Sequence, residues 1–107
     1  MRRWLGLVLF VGCAGGEPTD EDRVEAILDL EADPDAGGEI YASRCVSCHG
    51  EDGSAMSGST ELSGSDIRGL GAELVVSAVV VPPSGMLTFD TLPDQDVADV
   101  AGFVGGL

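Results

Sequence analysis

Hydrophobic residues recur at helical spacing near the end of the chain. Aspartates are concentrated at the start of this stretch, where the positive end of a helix dipole favours negative charge. The apolar positions lie three or four residues apart, at Val97, Val100, Ala101 and Val104, with Phe103 beside them. The pattern predicts a helix from about Pro93 to Val104, which Gly105-Gly106 ends.

A second helix is predicted to run from Asp33 toward Cys45. Asp33 is a favourable N-cap residue, and Pro34 is a favourable first residue of a helix. Gly37, Tyr41 and Cys45 lie four positions apart, so they share one face of this helix.

Residues 74–81 carry conflicting signals. β-branched residues dominate the stretch, and they favour a strand. No partner strand is evident in the chain, however, and an isolated strand cannot satisfy its backbone hydrogen bonds in a core. Leu74, Ala78 and Val81 also fit helical spacing. We therefore predict a helix over about 72–81, ended by Pro82-Pro83.

The remaining segments are polar or short. Residues 50–66 are rich in glycine, serine and acidic residues, which predicts a long loop, and residues 67–70 predict a turn or a short helix. Residues 19–31 leave two alternatives open: a brief helix packed on the domain, or part of a disordered tether. The helix would present one apolar stripe, formed by Val24, Ile27, Leu28 and Leu30.

The first residues are typical of an export signal. Met1-Arg2-Arg3 is cationic, and the apolar run that follows is shorter than the about 20 residues that cross a bilayer. The small residue Gly12 before Cys13 resembles the lipobox of bacterial lipoproteins, in which the cysteine is lipidated. An ordinary cleaved signal with an incidental cysteine is the alternative. We expect a signal peptide over 1–12, a flexible acidic tether over 13–32, and one domain over 33–107.

These features predict an exported protein, anchored through lipid on Cys13 to the periplasmic side of a bacterial membrane. Ala14, after the cysteine, supplies no acidic signal for retention at the inner membrane, which favours the outer membrane.

The chain is strongly acidic. All nineteen acidic residues follow Cys13, against three arginines and no lysine, so the expected mature chain carries a net charge of about −16. Nucleic acid binds to a basic protein surface, so this charge excludes nucleic acid as a partner. The charge favours partners with a basic docking surface, or it serves solubility alone.

The segment Cys45-Val46-Ser47-Cys48-His49 contains the only histidine of the chain. Two cysteines three positions apart, followed at once by histidine, form the attachment signature of a c-type haem. Positions i, i+3 and i+4 share one face of a helical turn, so both cysteines can bond the haem edge while His49 faces the iron.

Two other uses of these cysteines are weaker. A structural zinc site requires four ligands, and the third cysteine of the chain, Cys13, is assigned to lipidation. A thioredoxin-like pair follows a strand in a βαβ pattern, and no such pattern precedes Cys45.

An iron bound by His49 has a second axial position to fill. With no second histidine and no lysine, the strong candidates are Met56 and Met86. Met56 lies only seven residues after His49, too close to reach the opposite face comfortably. Met86 follows a predicted helix and Pro82-Pro83, which can carry the chain across, so we assign Met86.

Residues 33–104 resemble the class I cytochromes c. The segments that carry the resemblance are the haem-binding motif at 45–53 and the stretch 82–100, which is similar to their methionine loop and C-terminal helix. The resemblance implies an all-α fold of three to five short helices around one covalently bound haem. It also implies that Gly37 and Tyr41 on the first helix cross Val100 and Phe103 on the last.

The chain departs from this family at two positions. Leu87 stands where a proline usually follows the ligating methionine. The stretch Thr60-Glu61-Leu62 lacks the proline whose carbonyl usually accepts the Nδ1–H of the histidine. Any backbone carbonyl could take that place.

The function expected from these residues is electron transfer to and from redox proteins by one haem c, with His49 and Met86 as axial ligands. A filled sixth position leaves no coordination site for a substrate, so we predict a carrier rather than an enzyme. The alternative is a haem-based module that binds or senses a small ligand, which requires that Met86 be absent or displaced. Candidates for the apolar haem pocket are Leu62, Leu70, Leu74, Ala78, Leu87 and Phe89.

Overall fold

The computed structural model describes residues 19–89 and 91–107 and is mainly helical in that part of the chain. The shortest helix is a single turn, and two short strands pair antiparallel. None of the described helices is long and apolar enough to cross a membrane. The elements are α1 (Asp20–Leu28), α2 (Pro34–Arg44), α3 (Val46–His49), β1 (Met56–Ser57), β2 (Thr60–Glu61), α4 (Ala72–Val80) and α5 (Asp94–Val104).

Helices α2 and α5 pack closely where α2 lacks a side chain. Gly37 is buried, and a Cβ at this position would overlap the carbonyl group of Asp99 on α5. Beside it, the rings of Tyr41 and Phe103 lie with centroids 5.2 Å apart. The structure therefore confirms the helix predicted from Asp33 toward Cys45 and the helix predicted to end at Val104. It also confirms the contact between them.

The N-terminus of α2 is fixed by two aspartates. The Asp33 side chain accepts hydrogen bonds from the N–H groups of Asp35 and Ala36, as its role as N-cap requires. The backbone N–H of Asp33 donates in turn to the buried carboxylate of Asp99, at 2.8 Å. These bonds attach the start of α2 to α5.

The prediction of a helix at residues 72–81 is confirmed, but a different face of it is buried. Val75, Val76 and Val79 enter the core between α1 and α5, whereas Leu74 is 60% exposed and Val81 is 54% exposed. Because this stretch is apolar on nearly every side, its spacing alone does not select the buried face.

Helix α1 lies within residues 19–31, the segment for which the sequence left two alternatives open. Thr19 and Asp22 form a capping box at its start, and Ile27 is 1% exposed within the hydrophobic core. The Nε of Arg23 donates to the Asp94 carboxylate at 2.9 Å, which ties α1 to the start of α5. The packed part of the described chain thus includes a helix from the segment expected to act as a tether.

The expectation of an unbroken loop over 50–66 is wrong in one respect. Strands β1 and β2 form a hairpin, in which Met56 pairs with Glu61 and Ser57 with Thr60. The pair Gly58-Ser59 makes the turn, with Gly58 at a φ of 64°, a conformation that suits glycine. A glycine-serine pair between two short extended runs is a recognised hairpin signal, and it was the clue available in the sequence.

Candidate functional site

A cavity of about 350 Å³ lies beside the end of α2 and α3. The haem-attachment motif, Cys45 to His49, forms one side of the cavity. Residues 63–65 lie next to the motif, and residues from the segment 83–89 form the opposite part of the lining. The lining residues that matter for the chemistry are Cys45, Cys48, His49, Met86, Leu87 and Phe89.

The local backbone explains why the motif residues share this cavity. Cys45 ends α2, with its N–H donating to the carbonyl of Tyr41 at 2.8 Å. The N–H of His49 then donates to the carbonyl of Cys45 at 3.0 Å, which closes the single turn of α3. Gly50 ends this turn with a φ of 81°. The turn therefore presents Cys45, Cys48 and His49 to one cavity, as their spacing predicted.

His49 is oriented through one ring nitrogen. Its Nδ1 lies 2.8 Å from the carbonyl oxygen of Ser65. Because a carbonyl can only accept, Nδ1 carries the proton and donates, and the lone pair of Nε2 is left to bind a metal. The family resemblance placed this acceptor in the stretch Thr60-Glu61-Leu62, whereas the structure has it three residues later, at Ser65.

The segment Ser63-Gly64-Ser65 contacts the motif at further points. The N–H of Gly64 donates to the Cys48 carbonyl at 2.8 Å, and the Ser63 hydroxyl lies 3.4 Å from the Cys48 sulfur. A Cβ on Gly64 would collide with the Cys48 carbonyl and would lie 2.8 Å from Nδ1 of His49. The sequence predicts a loop over 50–66 but does not single out these three residues within it, because Ser57-Gly58-Ser59 is the same triplet and forms a hairpin turn instead.

Tyr41 connects the helix crossing to the site. Its buried hydroxyl donates to the Gly50 carbonyl at 2.6 Å, directly after His49. Burial raises the pKa of Tyr41 to about 12, with a smaller contribution from the negative charges of Cys45 and Asp52. The hydroxyl therefore stays a hydrogen-bond donor across the neutral pH range.

The two cysteines of the motif are free thiols in the structure. Burial raises the pKa of Cys45 to about 11, and the neighbouring Cys48 raises it further, against a lowering by Arg44. Cys45 is consequently a neutral thiol at pH 7.

The two candidate methionines lie in different places. Met86 lines the cavity and is half-buried, at the end of a turn in which its N–H donates to the Pro83 carbonyl at 3.0 Å. Met56 lies on β1, is 37% exposed, and borders a separate hollow next to α3. The structure thus brings Met86 to the same cavity as the motif and leaves Met56 outside it. Cys13 lies outside the described residues.

Only two of the expected pocket residues line the cavity, namely Leu87 and Phe89. Leu62 borders the separate hollow near Met56, and Leu70 packs against the helical core. Leu74 and Ala78 lie on α4, which packs against α1 and α5 rather than against the cavity. For Leu74 and Ala78, the error follows from the assignment of the wrong buried face to α4.

The donor set fits a haem better than a bare ion. No group of three or more histidine, cysteine or acidic side chains within residues 19–89 and 91–107 is placed to hold a metal ion. One oriented imidazole, two free cysteines, a thioether and apolar neighbours are what a covalently bound iron porphyrin requires. The thioredoxin-like alternative also lacks its strand, since helices α1 and α2 precede Cys45 in the described chain.

The fold and this cavity define a small cytochrome c domain, and comparison with known proteins agrees. A family model described as cytochrome c oxidase, cbb3-type, subunit III matches residues 32–104. The match covers well over half of the chain, which therefore belongs to this cytochrome c family. No curated protein and no solved structure matches the chain. Membership confirms the resemblance to class I cytochromes c and the all-α fold, and it implies haem c and haem-based electron transfer.

Proposed function

We propose that this protein is an electron carrier with one haem c, attached through Cys45 and Cys48 and bound axially by His49 and Met86. The observation that carries the proposal is the shared cavity, which both cysteines, the oriented histidine and Met86 all line. When bound, the haem supplies a one-electron couple that needs no bond to an external substrate.

The chain's own residues would set the properties of this couple. Ser65 fixes the ring of His49 and increases its basicity through the Nδ1–H bond. The soft sulfur of Met86 favours ferrous iron, which raises the reduction potential. Leu87 and Phe89 add apolar surface on the same side of the cavity, where exclusion of water acts in the same direction.

The axial assignment is tested by Met86→Ala, with Met56→Ala as the matched control. We expect Met86→Ala to keep its covalent haem, to lose the weak charge-transfer band that sulfur ligation gives the ferric protein, and to show a lower reduction potential. Met56→Ala should retain the charge-transfer band and the reduction potential of the wild type. The reverse result would assign the sulfur ligand to Met56, and a wild-type protein with a high-spin ferric spectrum would favour a small-ligand sensor.

Covalent attachment is tested by haem staining of a denatured gel, because only covalently bound haem survives denaturation. The wild-type protein should stain, and His49→Ala should fail to accumulate stable holoprotein. An unstained, colourless wild-type protein after export with sufficient haem would contradict the proposal.

We further propose that lipid on Cys13 anchors the domain to the periplasmic side of a bacterial membrane, where it serves redox partners. The cationic start, the short apolar run and Gly12-Cys13 support this step. Cys13→Ser should move the protein from the membrane fraction to the soluble fraction without any change in its spectrum. If the variant stays with the membrane, Cys13 is not the anchor.

A further inference from the structure

A groove runs between α1 and α4, and it shares no lining residue with the cavity of the haem-attachment motif. On α1 it is bordered by positions 20, 24 and 28 and by positions 21 and 25, which are spaced by about one helical turn. On α4 it is bordered by Glu73, Ser77 and Val81, again four positions apart. The α1–α4 groove therefore follows the whole length of both helices, which is about 13 Å for nine residues each.

Apolar side chains in the α1–α4 groove are open to solvent. Leu28 and Val81 border the groove and are 37% and 54% exposed, and Val24 packs between the groove and the hydrophobic core. Neither Leu28 nor Val81 lines the motif cavity, so their exposure does not depend on whether that cavity holds a haem. Exposed apolar surface with a polar border is typical of protein interaction sites.

Four carboxylates border the same groove. They belong to Asp20, Glu21 and Glu25 on α1 and to Glu73 on α4. Glu21 and Glu25 lie one turn apart on α1, and like charges at this spacing destabilise a helix. The folded chain thus keeps a repulsion at this surface that a bound cationic group would relieve.

No basic side chain balances this charge within the described lining of the groove. Arg23 is the only basic residue of α1, and its side chain donates to Asp94 at 2.9 Å and to the Leu92 carbonyl at 3.1 Å, at the start of α5. Helix α4 contains no basic residue. The groove therefore combines an apolar base with a negatively charged border.

We propose that the α1–α4 groove binds a basic amphipathic helix of a partner protein. The apolar face of this helix lies against Leu28 and Val81, and its lysine or arginine side chains pair with the four carboxylates. A hydrophobic groove is a common receptor for an amphipathic helix, and this one has room for about two and a half turns. The proposal goes beyond the electron-carrier function and does not depend on it. Because the groove and the motif cavity share no lining residue, the partner can hold the domain and leave the candidate redox site open.

Charge disfavours two other occupants of the groove. A second copy of this chain would bring the same four carboxylates face to face, and an anionic lipid surface would repel them. A dimer in sedimentation experiments that Leu28→Asn dissociates would therefore overturn the proposal.

The probe is a synthetic peptide of about 14 residues, with leucine on one helical face and lysine on the others, titrated into the exported protein at about 0.15 M salt. A peptide of the same composition in scrambled order is its control, because it has the same charge without an apolar face. We expect one amphipathic peptide to bind per protein, about tenfold more tightly than the scrambled peptide. Equal affinities would overturn the proposal, since charge alone would then explain the binding.

Two matched double variants locate the charge that the peptide uses. Glu21→Gln with Glu25→Gln removes two carboxylates from the groove, whereas Glu39→Gln with Glu61→Gln removes two exposed carboxylates from α2 and β2. The first pair should weaken peptide binding about tenfold, and the second pair by less than about twofold. Equal losses would show that the general acidity of the protein attracts the peptide, which would overturn the proposal.

Leu28→Asn and Leu30→Asn form the matched pair for the apolar contact. Both leucines are 37% exposed, but of the two only Leu28 borders the groove. Leu28→Asn should weaken peptide binding about fivefold, and Leu30→Asn should leave it unchanged. In the reduced protein, the peptide should also shift the amide NMR signals of Leu28 and Val81 and leave those of Met86 and Leu87 in place. Equal effects of the two variants, or NMR shifts confined to the segment around Met86, would overturn the groove as the binding surface.

Discussion

Side chains hold the helical core of this molecule together, whereas backbone atoms hold its cavity together. In the core formed by α1, α2, α4 and α5, the side chains of Ile27, Val76 and Val97 are at most 1% exposed. Around the cavity, backbone groups of Ser65 and Gly64 fix His49 and Cys48. The first kind of contact follows from hydrophobic spacing, and the second depends on the path of loops.

Two glycines allow a direct comparison of these regions, because each lies where a Cβ would strike a backbone carbonyl. Gly37 faces the carbonyl of Asp99 in the helical core, and Gly64 faces the carbonyl of Cys48 beside the cavity. The same substitution at the two positions should therefore affect different properties of the protein.

The largest effect is expected for Gly37→Ala. The added methyl group must push α5 away from α2, which should lower the free energy of unfolding by about 3 kcal/mol. Denaturant unfolding measures the loss, and the spectrum of the folded fraction should keep its axial ligation. Gly71→Ala is the control, since no heavy atom lies within 4 Å of a Cβ there. Similar losses for both variants would show that the close helix crossing is not the cause.

Gly64→Ala should act on the site more than on stability. The methyl group would displace either His49 or the segment that holds it, which weakens the Nδ1–H bond to Ser65. A less basic imidazole donates less to ferric iron, so the reduction potential should rise, with a loss of only about 1–2 kcal/mol in unfolding free energy.

The matched control for this variant is Gly58→Ala in the other serine-glycine-serine triplet. Gly58 has a φ of 64°, so alanine there strains the hairpin turn, but nothing lies within 4 Å of the new Cβ. Its potential should equal that of the wild type. A shift of potential in Gly58→Ala as large as that in Gly64→Ala would remove the special role of Gly64.

The contrast between side-chain contacts in the core and backbone contacts at the cavity explains which features could be predicted from the sequence. Caps and spacing located α2 and α5, and the haem-attachment motif with Met86 located one cavity. The carbonyl that orients His49 could not be found, because Ser57-Gly58-Ser59 and Ser63-Gly64-Ser65 are identical triplets and only the folded loop shows that the second one supplies it. The buried face of α4 was missed because a nearly continuous apolar run gives no amphipathic contrast.

Tyr41→Phe tests the link between the two regions. The substitution keeps the ring against Phe103 but removes the shorter of two hydrogen bonds to the Gly50 carbonyl, which still accepts from the Gly53 N–H at 3.2 Å. The loss of this one bond should cost about 1 kcal/mol of stability. Because the chain contains one tyrosine, ultraviolet titration of phenolate reports on Tyr41 alone.

The pKa of Tyr41 determines how its contribution to stability changes with pH. The pKa of Tyr41 is raised from 10.0 to about 12 by burial, so the neutral phenol is favoured in the folded state. Its contribution to stability should be complete below pH 10 and should be lost as the pH rises toward 12. Tyr41→Phe should lack this part of the alkaline loss. A phenolate that titrates near 10 in the folded protein would contradict the buried hydrogen bond.

The smallest effect is expected for Asp66→Asn, although Asp66 directly follows the residue that orients His49. Hydrogen bonds from Arg68 lower the pKa of Asp66 to about 2, yet both side chains are about half exposed, and water and salt screen such pairs. The contribution of Asp66 is therefore present above its unfolded pKa of about 4 and is lost as the pH falls toward 2. At pH 7, denaturant midpoint and reduction potential should match those of the wild type. If Asp66→Asn shifted the potential as Gly64→Ala is expected to, a surface ion pair would position His49, and the contrast between side-chain and backbone contacts would fail at the site itself.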